Sequence, residues 1–255
     1  MATNSRDGSQ VVLIGRRGVL EALAAPEVSL LEVRIARGAP VALRNELRQR
    51  CRSAGVACAL TSTQRVRALS RDARHDQGVA ALARLDNVGG PELLWAHEGP
   101  SRWLALDGLR NAQNVGMIAR SAVASGMDGL LWPRRGTPWV DGLVVKASAG
   151  AVLRTRIARC EVLRLSLAEA RARGYHVAGL CARGENDLFS WQPPGRAVYV
   201  VGSENEGLSE DVSTQLDTRL RIPIATEVES LNAAVAAALL CFHVANHTRT
   251  PTPSR

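Results

Sequence analysis

The run Ala197-Val198-Tyr199-Val200-Val201-Gly202-Ser203-Glu204-Asn205-Glu206-Gly207-Leu208-Ser209 decides how the rest of the chain is read. Five apolar residues, mostly β-branched or aromatic, make a strand with both faces buried. The chain then breaks at Gly202 into an acidic loop, and Ser209-Glu210-Asp211 opens a helix. A strand that feeds a helix through a glycine-bounded loop is the unit of an open α/β sheet, whose strand ends carry the ligand loops. The loop is no phosphate cradle. Leu208 stands where that motif has its lysine, and Glu204 and Glu206 repel phosphate. It suits hydroxyl or amine groups or a cationic ligand; the plain alternative is a turn capped by Ser209.

Outward from this run the same alternation continues. Strands are expected at 103–106, 129–132, 176–181 and 218–222, and helices at 115–125, 162–173, 210–216 and 231–245. Short apolar strands separated by helices imply a parallel sheet covered on both faces. Two more clusters sit at strand ends. The first runs from Asp107 to Arg120, with Asn114 expected to cap the following helix. Gly116 and Arg120 lie four apart on one face, and a glycine inside a helix costs about 1 kcal/mol relative to alanine, so it asks for a reason. The second runs from Arg221-Ile222-Pro223-Ile224 through Glu227-Val228-Glu229 to Ser230-Leu231-Asn232. Pro223 ends the strand because it has no N–H for the ladder. Ser230 is expected as N-cap, with the Asn232 amide in the first turn turned toward a ligand.

The chain has 255 residues, 46% apolar and 22% charged, with a formal net charge of +8. That is an ordinary globular composition with a bias toward a polyanionic partner. Only one basic residue, Lys146, is a lysine; the others are arginines, whose planar forks pair phosphates bidentately. The longest apolar run, Ala233 to Phe242, is about half a membrane span, and Met1 to Gly8 contains no signal-like segment. Cys51, Cys58, Cys160, Cys181 and Cys241 are odd in number and form no C-x-x-C pair. They read as reduced thiols of a cytoplasmic protein, with no metal site expected. His243 and His247 have a metal-binding spacing but no third ligand nearby. No membrane partner is expected.

Gly, Pro and Asn between Asp86 and Pro100 mark a seam, giving a small α/β domain over 1–86, a linker over 87–100 and a larger domain over 101–255. Residues 1–90 hold 14 Arg against 8 Asp and Glu, or +6; residues 91–255 hold 18 Lys and Arg against 16, or +2. Within 41–54, Leu43, Leu47 and Cys51 form a buried stripe, and Arg44, Arg48 and Arg52 repeat one position on. That arginine row is either a solvated face or a ridge that tracks phosphates. Residues 1–90 contain no Phe, Trp or Tyr, hence no platform for stacking splayed bases. A folded RNA read by charge and shape is the better match. Trp132 and Trp139 flank Pro133-Arg134-Arg135-Gly136, a loop that either touches RNA or is held by core packing of Trp132.

Asn114/Gly116/Arg120, Gly202/Glu204/Gly207 and Ile222-Pro223 followed by Ser230-Leu231-Asn232, in that order, resemble the motifs of the SpoU-type RNA 2′-O-ribose methyltransferases of the SPOUT superfamily. The family patterns are N-x-G-x-x-x-R, G-x-E-x-x-G and I-P with S-L-N. Lys146-Ala147-Ser148-Ala149-Gly150-Ala151 is similar to a segment that the family carries between the first two. The likeness covers about 101–247. More loosely, Gly15-Arg16-Arg17-Gly18 and His75-Asp76-Gln77-Gly78 resemble the substrate-binding domain of ribosomal-RNA members. The resemblance implies a parallel-sheet domain with a deep trefoil knot, a homodimer, and S-adenosyl-L-methionine held by Gly202, Ile222 and Leu231. It also implies catalytic roles for Asn114, Arg120, Glu204, Ser230 and Asn232 and places Arg17 on the RNA, beside the row Arg44, Arg48 and Arg52 that the helical spacing offers. An arginine is a demanding base because its pKa exceeds about 12. Arg120 is therefore read as a phosphate or oxyanion clamp, with Glu204 or a substrate phosphate taking the proton. Asn114, Ser230 and Asn232 orient the ribose. Ribosomal RNA is favoured over transfer RNA, and the rival from another class is a non-catalytic RNA-binding assembly factor on the same scaffold.

Overall fold

The computed structural model describes residues 9–71, 75–96, 98–225 and 230–248. Met1 to Gly8 and Glu227 to Glu229, both read above from sequence, lie outside them. In chain order the elements begin β1 (Gln10–Ile14), α1 (Gly15–Leu23), β2 (Val28–Ala36), α2 (Val41–Ser53), β3 (Cys58–Thr61), α3 (Thr63–Ser70), β4 (Val79–Leu85) and β5 (Val88–Gly89). They continue as β6 (Ser101–Leu106), α4 (Ala112–Ser125), β7 (Gly129–Pro133), α5 (Gly142–Ala147), β8 (Arg156–Cys160), α6 (Leu163–Ala172) and β9 (His176–Leu180). The last are β10 (Asn186–Asp187), β11 (Arg196–Val201), α7 (Glu210–Ser213), β12 (Thr218–Arg221) and α8 (Ala233–Thr248). Two compact units result: Met1–Val88 with Val140–Arg154, and Gly89–Trp139 with Thr155–Arg255.

The first unit is a four-stranded sheet in the order β1-β4-β2-β3. Its β1–β4 and β4–β2 pairs are antiparallel, and β2–β3 is parallel across the α2 crossover. On α2, Leu47 and Cys51 are fully buried and Leu43 partly so, while Arg48 and Arg52 face solvent, as the four-residue spacing predicts. β1 and α3 escape the sequence reading. Val140–Arg154, expected within the larger domain, packs with this unit: α5 contacts α1 and β1, and Asn87 Nδ2 donates to the Leu153 carbonyl at 3.1 Å.

The second unit is the α/β domain that the strand pattern predicts. Its sheet runs β10-β12-β9-β11-β6-β7-β8-β5, and every pairing from β10 to β8 is parallel. Trp103, Val198 and Val200 face a core shared with α6, while α4 packs on β7 and α8 on β11 from the other side. The stretch 87–100, expected as a linker, contains a 3-10 turn over Pro91–Trp95. Leu94 of that turn is buried in the core, and its carbonyl accepts a hydrogen bond from the Tyr175 hydroxyl. The apolar Leu93-Leu94-Trp95 outweighs the flanking glycines there. β6 leads to β7 and β8 on one side and lies against β11 on the other, so the sheet's switch point falls between β6 and β11. Leu106 pairs with Val201, and Asp107 N–H donates to the Val201 carbonyl at 2.9 Å. The loops that follow, Asp107–Asn111 and Gly202–Ser209, therefore leave the sheet side by side.

Candidate active site

The Gly202–Gly207 loop is pinched by two reciprocal bonds, Ser203 N–H to the Gly207 carbonyl and Gly207 N–H to the Ser203 carbonyl, each 3.0 Å. A side chain at Gly202 would collide with the Gly207 carbonyl, and Gly207 itself takes a φ of +68°. The two motif glycines are thus fixed by sterics. The Ser203 hydroxyl accepts the Glu206 N–H at 3.1 Å, and Ser209 N–H reaches across to Asp107 Oδ2 at 2.7 Å.

Glu204 is where the three motif clusters meet. Its Oε1 accepts from Asn114 Nδ2 at 2.6 Å, from Asn232 Nδ2, and from Ala233 N–H at 3.2 Å. Asn232 Nδ2 also donates to Asn114 Oδ1 at 3.2 Å. One carboxylate oxygen, two amides and a backbone donor tie β11, α4 and α8 together, with the charge strengthening each bond. The capping assignments differ from those expected. Asn111, not Asn114, caps α4, accepting from Gln113 N–H at 2.8 Å and Asn114 N–H at 3.3 Å. Asn232, not Ser230, caps α8, accepting from Ala234 N–H at 2.9 Å and Val235 N–H at 3.3 Å. α4 starts before the expected position and α8 after it, and each shift hands the cap to a neighbouring polar residue.

Two clefts flank Glu204. The first encloses about 730 Å³ and is lined by Leu180, Cys181, Leu220, Ile222, Ile224 and Leu231, together with Gly202, Ser203, Glu204 and Ser230. Gly202, Ile222 and Leu231 all line this cleft, and so does Ser230. The second encloses about 660 Å³ and is polar, lined by Gly108, Arg110, Asn111, Asn114, Asn205 and Glu206, and sharing Ser203 and Glu204 with the first. Arg120 lines neither cleft. It is exposed on α4 beside Met117, also exposed, three residues before it. Arg110 and Cys181, absent from the sequence expectations, line the two clefts; both follow strand ends, the signal that could have found them.

In the first unit Arg48 and Arg52 are exposed, Arg44 is half-buried, and Arg17 lies 3.7 Å from Glu21. A separate cleft of about 1230 Å³ between α1 and α2 is lined by Arg16, Arg17 and Arg50, with Arg16 bound bidentately to Glu46. Trp132 is buried and meets Trp139 edge-on at 5.5 Å, while the Arg159 guanidinium lies 3.9 Å over Trp139. Burial, followed by the neighbouring Arg134, lowers the Arg159 pKa to about 10. His243 Nε2 donates to the Trp191 carbonyl at 2.9 Å, and His247 Nδ1 donates to the His243 carbonyl at 3.0 Å. No group of three His, Cys, Asp or Glu among the described residues is placed to hold a metal. No helix among them is long and apolar enough to cross a membrane.

A parallel sheet with ligand loops converging at its switch point places the second unit among the α/β enzymes that bind beyond strand ends. The chain is similar in fold to a solved SpoU methyltransferase, AviRb from Streptomyces viridochromogenes, crystallised with AdoMet. The TM-score is 0.76 at 20% identity, covering 93% of this chain and 90% of that one. A structure described as an RNA 2′-O ribose methyltransferase matches with a TM-score of 0.67 at 24% identity, over 94% and 89% of the two chains. In sequence, a Staphylococcus epidermidis protein named for the TrmH family of tRNA/rRNA methyltransferases is 31% identical over 238 residues, 92% of this chain and 94% of that one. The model of the SpoU rRNA Methylase family matches residues 101–242, and the chain belongs to that family.

Proposed function

We propose that this protein transfers the methyl group of S-adenosyl-L-methionine to a ribose 2′-hydroxyl of structured RNA, with ribosomal RNA favoured over transfer RNA. One observation carries this reading: an apolar cleft and a polar cleft share the wall formed by Ser203 and Glu204. The aliphatic lining of the apolar cleft, with a few polar groups on one wall, matches an adenosyl group that carries a charged tail. When bound, the cofactor supplies a methyl already activated on a sulfonium. The chain's own work is then positioning.

Both ends of the Asn232 amide are committed to the cap and to Glu204, so Asn232 holds the site in shape. Asn114 keeps a second Nδ2 hydrogen for the ribose that enters the polar cleft. Glu204 Oε1 is filled by its three donors, which leaves Oε2 as the atom to take the hydroxyl proton, with a substrate phosphate as the alternative. Ser230 belongs to the cofactor wall. Arg120 keeps the role of a phosphate or oxyanion clamp. It shares the exposed side of α4 with Met117, and Val235 and Phe242, seven apart on the adjoining α8, are exposed as well. This apolar face is where a homodimer forms in the proposal, bringing Arg120 to the site of a second copy. The deep trefoil knot and the cytoplasmic setting belong to the same reading. Arg17, Arg48 and Arg52, with Arg44, hold the RNA by its phosphates.

The test is methyl transfer from labelled cofactor to total RNA, with nucleoside analysis for 2′-O-methylribose and sedimentation velocity for the dimer. Labelled 2′-O-methyl nucleosides and a two-chain species are expected. Base methylation, or RNA binding without transfer, sinks the reading. Arg120→Lys is expected to lower turnover at least tenfold at unchanged cofactor affinity; near-full turnover removes Arg120 from the chemistry.

A further inference from the structure

Beside the polar cleft, at the ends of β6, β7 and β8, lies a groove of about 480 Å³. The two depressions share Gly108, whose φ is +62° and which has no heavy atom within 4 Å of the place a Cβ would occupy. Gly136, φ +79°, abuts it, with its own Cβ position 3.9 Å from the Gly108 Cα. Two glycines in backbone conformations that other residues rarely adopt thus make the junction, and neither brings a side chain to it.

The polar cleft carries Arg110 beside Glu204 and Glu206, and the groove carries Arg135 and Arg164 beside Asp107, Glu161 and Asp211. None of these three arginines has an ion-pair partner among the described residues. The acids nearby are mostly engaged: Asp107 accepts the Ser209 N–H at 2.7 Å, and Glu161 pairs with Arg134 at 2.7 Å. Asp211 is the remaining carboxylate on the groove wall. Val162, 47% exposed, offers an apolar rim.

We infer that this groove is the path of the RNA backbone away from the methylated nucleotide, with Arg110, Arg135 and Arg164 holding its phosphates. The inference rests on the RNA methyltransferase reading and adds to it a direction and three positioning residues. A neutral ribose tolerates the acidic Gly202–Gly207 loop, whereas a phosphodiester does not. The flanking phosphates must therefore leave toward the side where uncompensated guanidinium groups lie, which is the β7–β8 side. Arginine forks suit phosphate oxygens, and an RNA strand held this way keeps its ribose pressed against Glu204.

The experiment compares wild-type protein with Arg135→Ala/Arg164→Ala, Arg135→Glu and Arg110→Ala. Arg173→Ala, at the opposite end of α6, is the charge control. Three quantities are read: KM and kcat on total RNA, cofactor affinity by calorimetry, and fluorescence anisotropy of a labelled pool of ribosomal RNA fragments across a salt series. The expected result is a KM raised at least tenfold in the double and reversal variants, with kcat and cofactor affinity within twofold of wild type. The slope of log affinity against log salt should also become shallower by about 0.7 for each phosphate that is no longer neutralised. Arg135→Lys should restore much of the affinity. Unchanged KM, affinity and salt slope in an active protein overturn the groove and leave the function standing. If the wild type makes no 2′-O-methylribose, the function fails, and the anisotropy series alone decides the groove: weakened, less salt-sensitive binding by the variants supports it, and wild-type binding overturns it.

Discussion

The Glu204 carboxylate holds together three segments far apart in the chain, since Asn114, Asn232 and Ala233 all donate to one of its oxygens. Removing it leaves two amides and a backbone N–H without their acceptor, at a cost on the order of 1–3 kcal/mol. Glu204→Ala should therefore lower the unfolding temperature as well as turnover. Glu204→Gln, which keeps an acceptor oxygen but loses the charge, should retain most of the stability and lose the proposed proton acceptor. Thermal unfolding and single-turnover methyl transfer separate the two effects; equal stability of all three proteins would show that the cluster does not hold the site. The identities of Asn114, Glu204 and Asn232 are legible in the sequence because each stands in a spaced motif. Their mutual bonding is not, because spacing along a chain says nothing of which side chains meet across 90 or 118 residues. The same limit applies to Ser230: its place beside Asn232 in the sequence does not reveal that it lines the apolar cleft.

At the level of elements, strands whose letters are plainly apolar are the ones that sequence locates to within a residue or two, as with β6, β7 and β11. β8 is missed because Arg-Ile-Ala-Arg-Cys reads as polar. Its arginines lie over aromatic rings, Arg156 at 5.4 Å from Trp103 and Arg159 at 3.9 Å from Trp139, so their stems cover the sheet while their charges stay paired with π faces. Helix starts are the other weak point, and α4 makes the consequence testable. With Asn111 as its cap, Asn111→Ala should cost about 1 kcal/mol and Asn111→Gly only a few tenths. Asn114→Ala would remove no cap bond and would act on the Glu204 cluster instead. Urea denaturation of the three variants checks the assignment; an Asn111→Ala protein as stable as the wild type would return the cap to Asn114.

Across the whole molecule the excess of positive charge is unevenly spread, +6 in residues 1–90 against +2 in the remainder, so the segment that carries the motifs is nearly balanced. The thiols are spread over both units, and they set how the protein responds to alkali. Burial raises Cys51 in the first unit to about 12, and raises Cys160 and Cys241 in the second to about 11 and about 12. In the unfolded chain these thiols ionise near pH 9, so between pH 9 and 10 the unfolded state gives up protons that the folded state keeps. Stability must then fall as pH rises, by about 1 kcal/mol per thiol over that unit of pH. Arg159 works in the opposite sense, since its lowered pKa favours the folded state as pH rises, but only above about 10. Burial raises Cys58 in the first unit and Cys181 in the second as well, so both units should lose stability between pH 9 and 10. Unfolding followed through the tryptophans, all of which lie in the second unit, should show this drop, and Cys241→Ser and Cys160→Ser should flatten it. A pH-independent midpoint over that range would mean that the thiols ionise as readily folded as unfolded, and that the core around α8 and β8 is open to solvent.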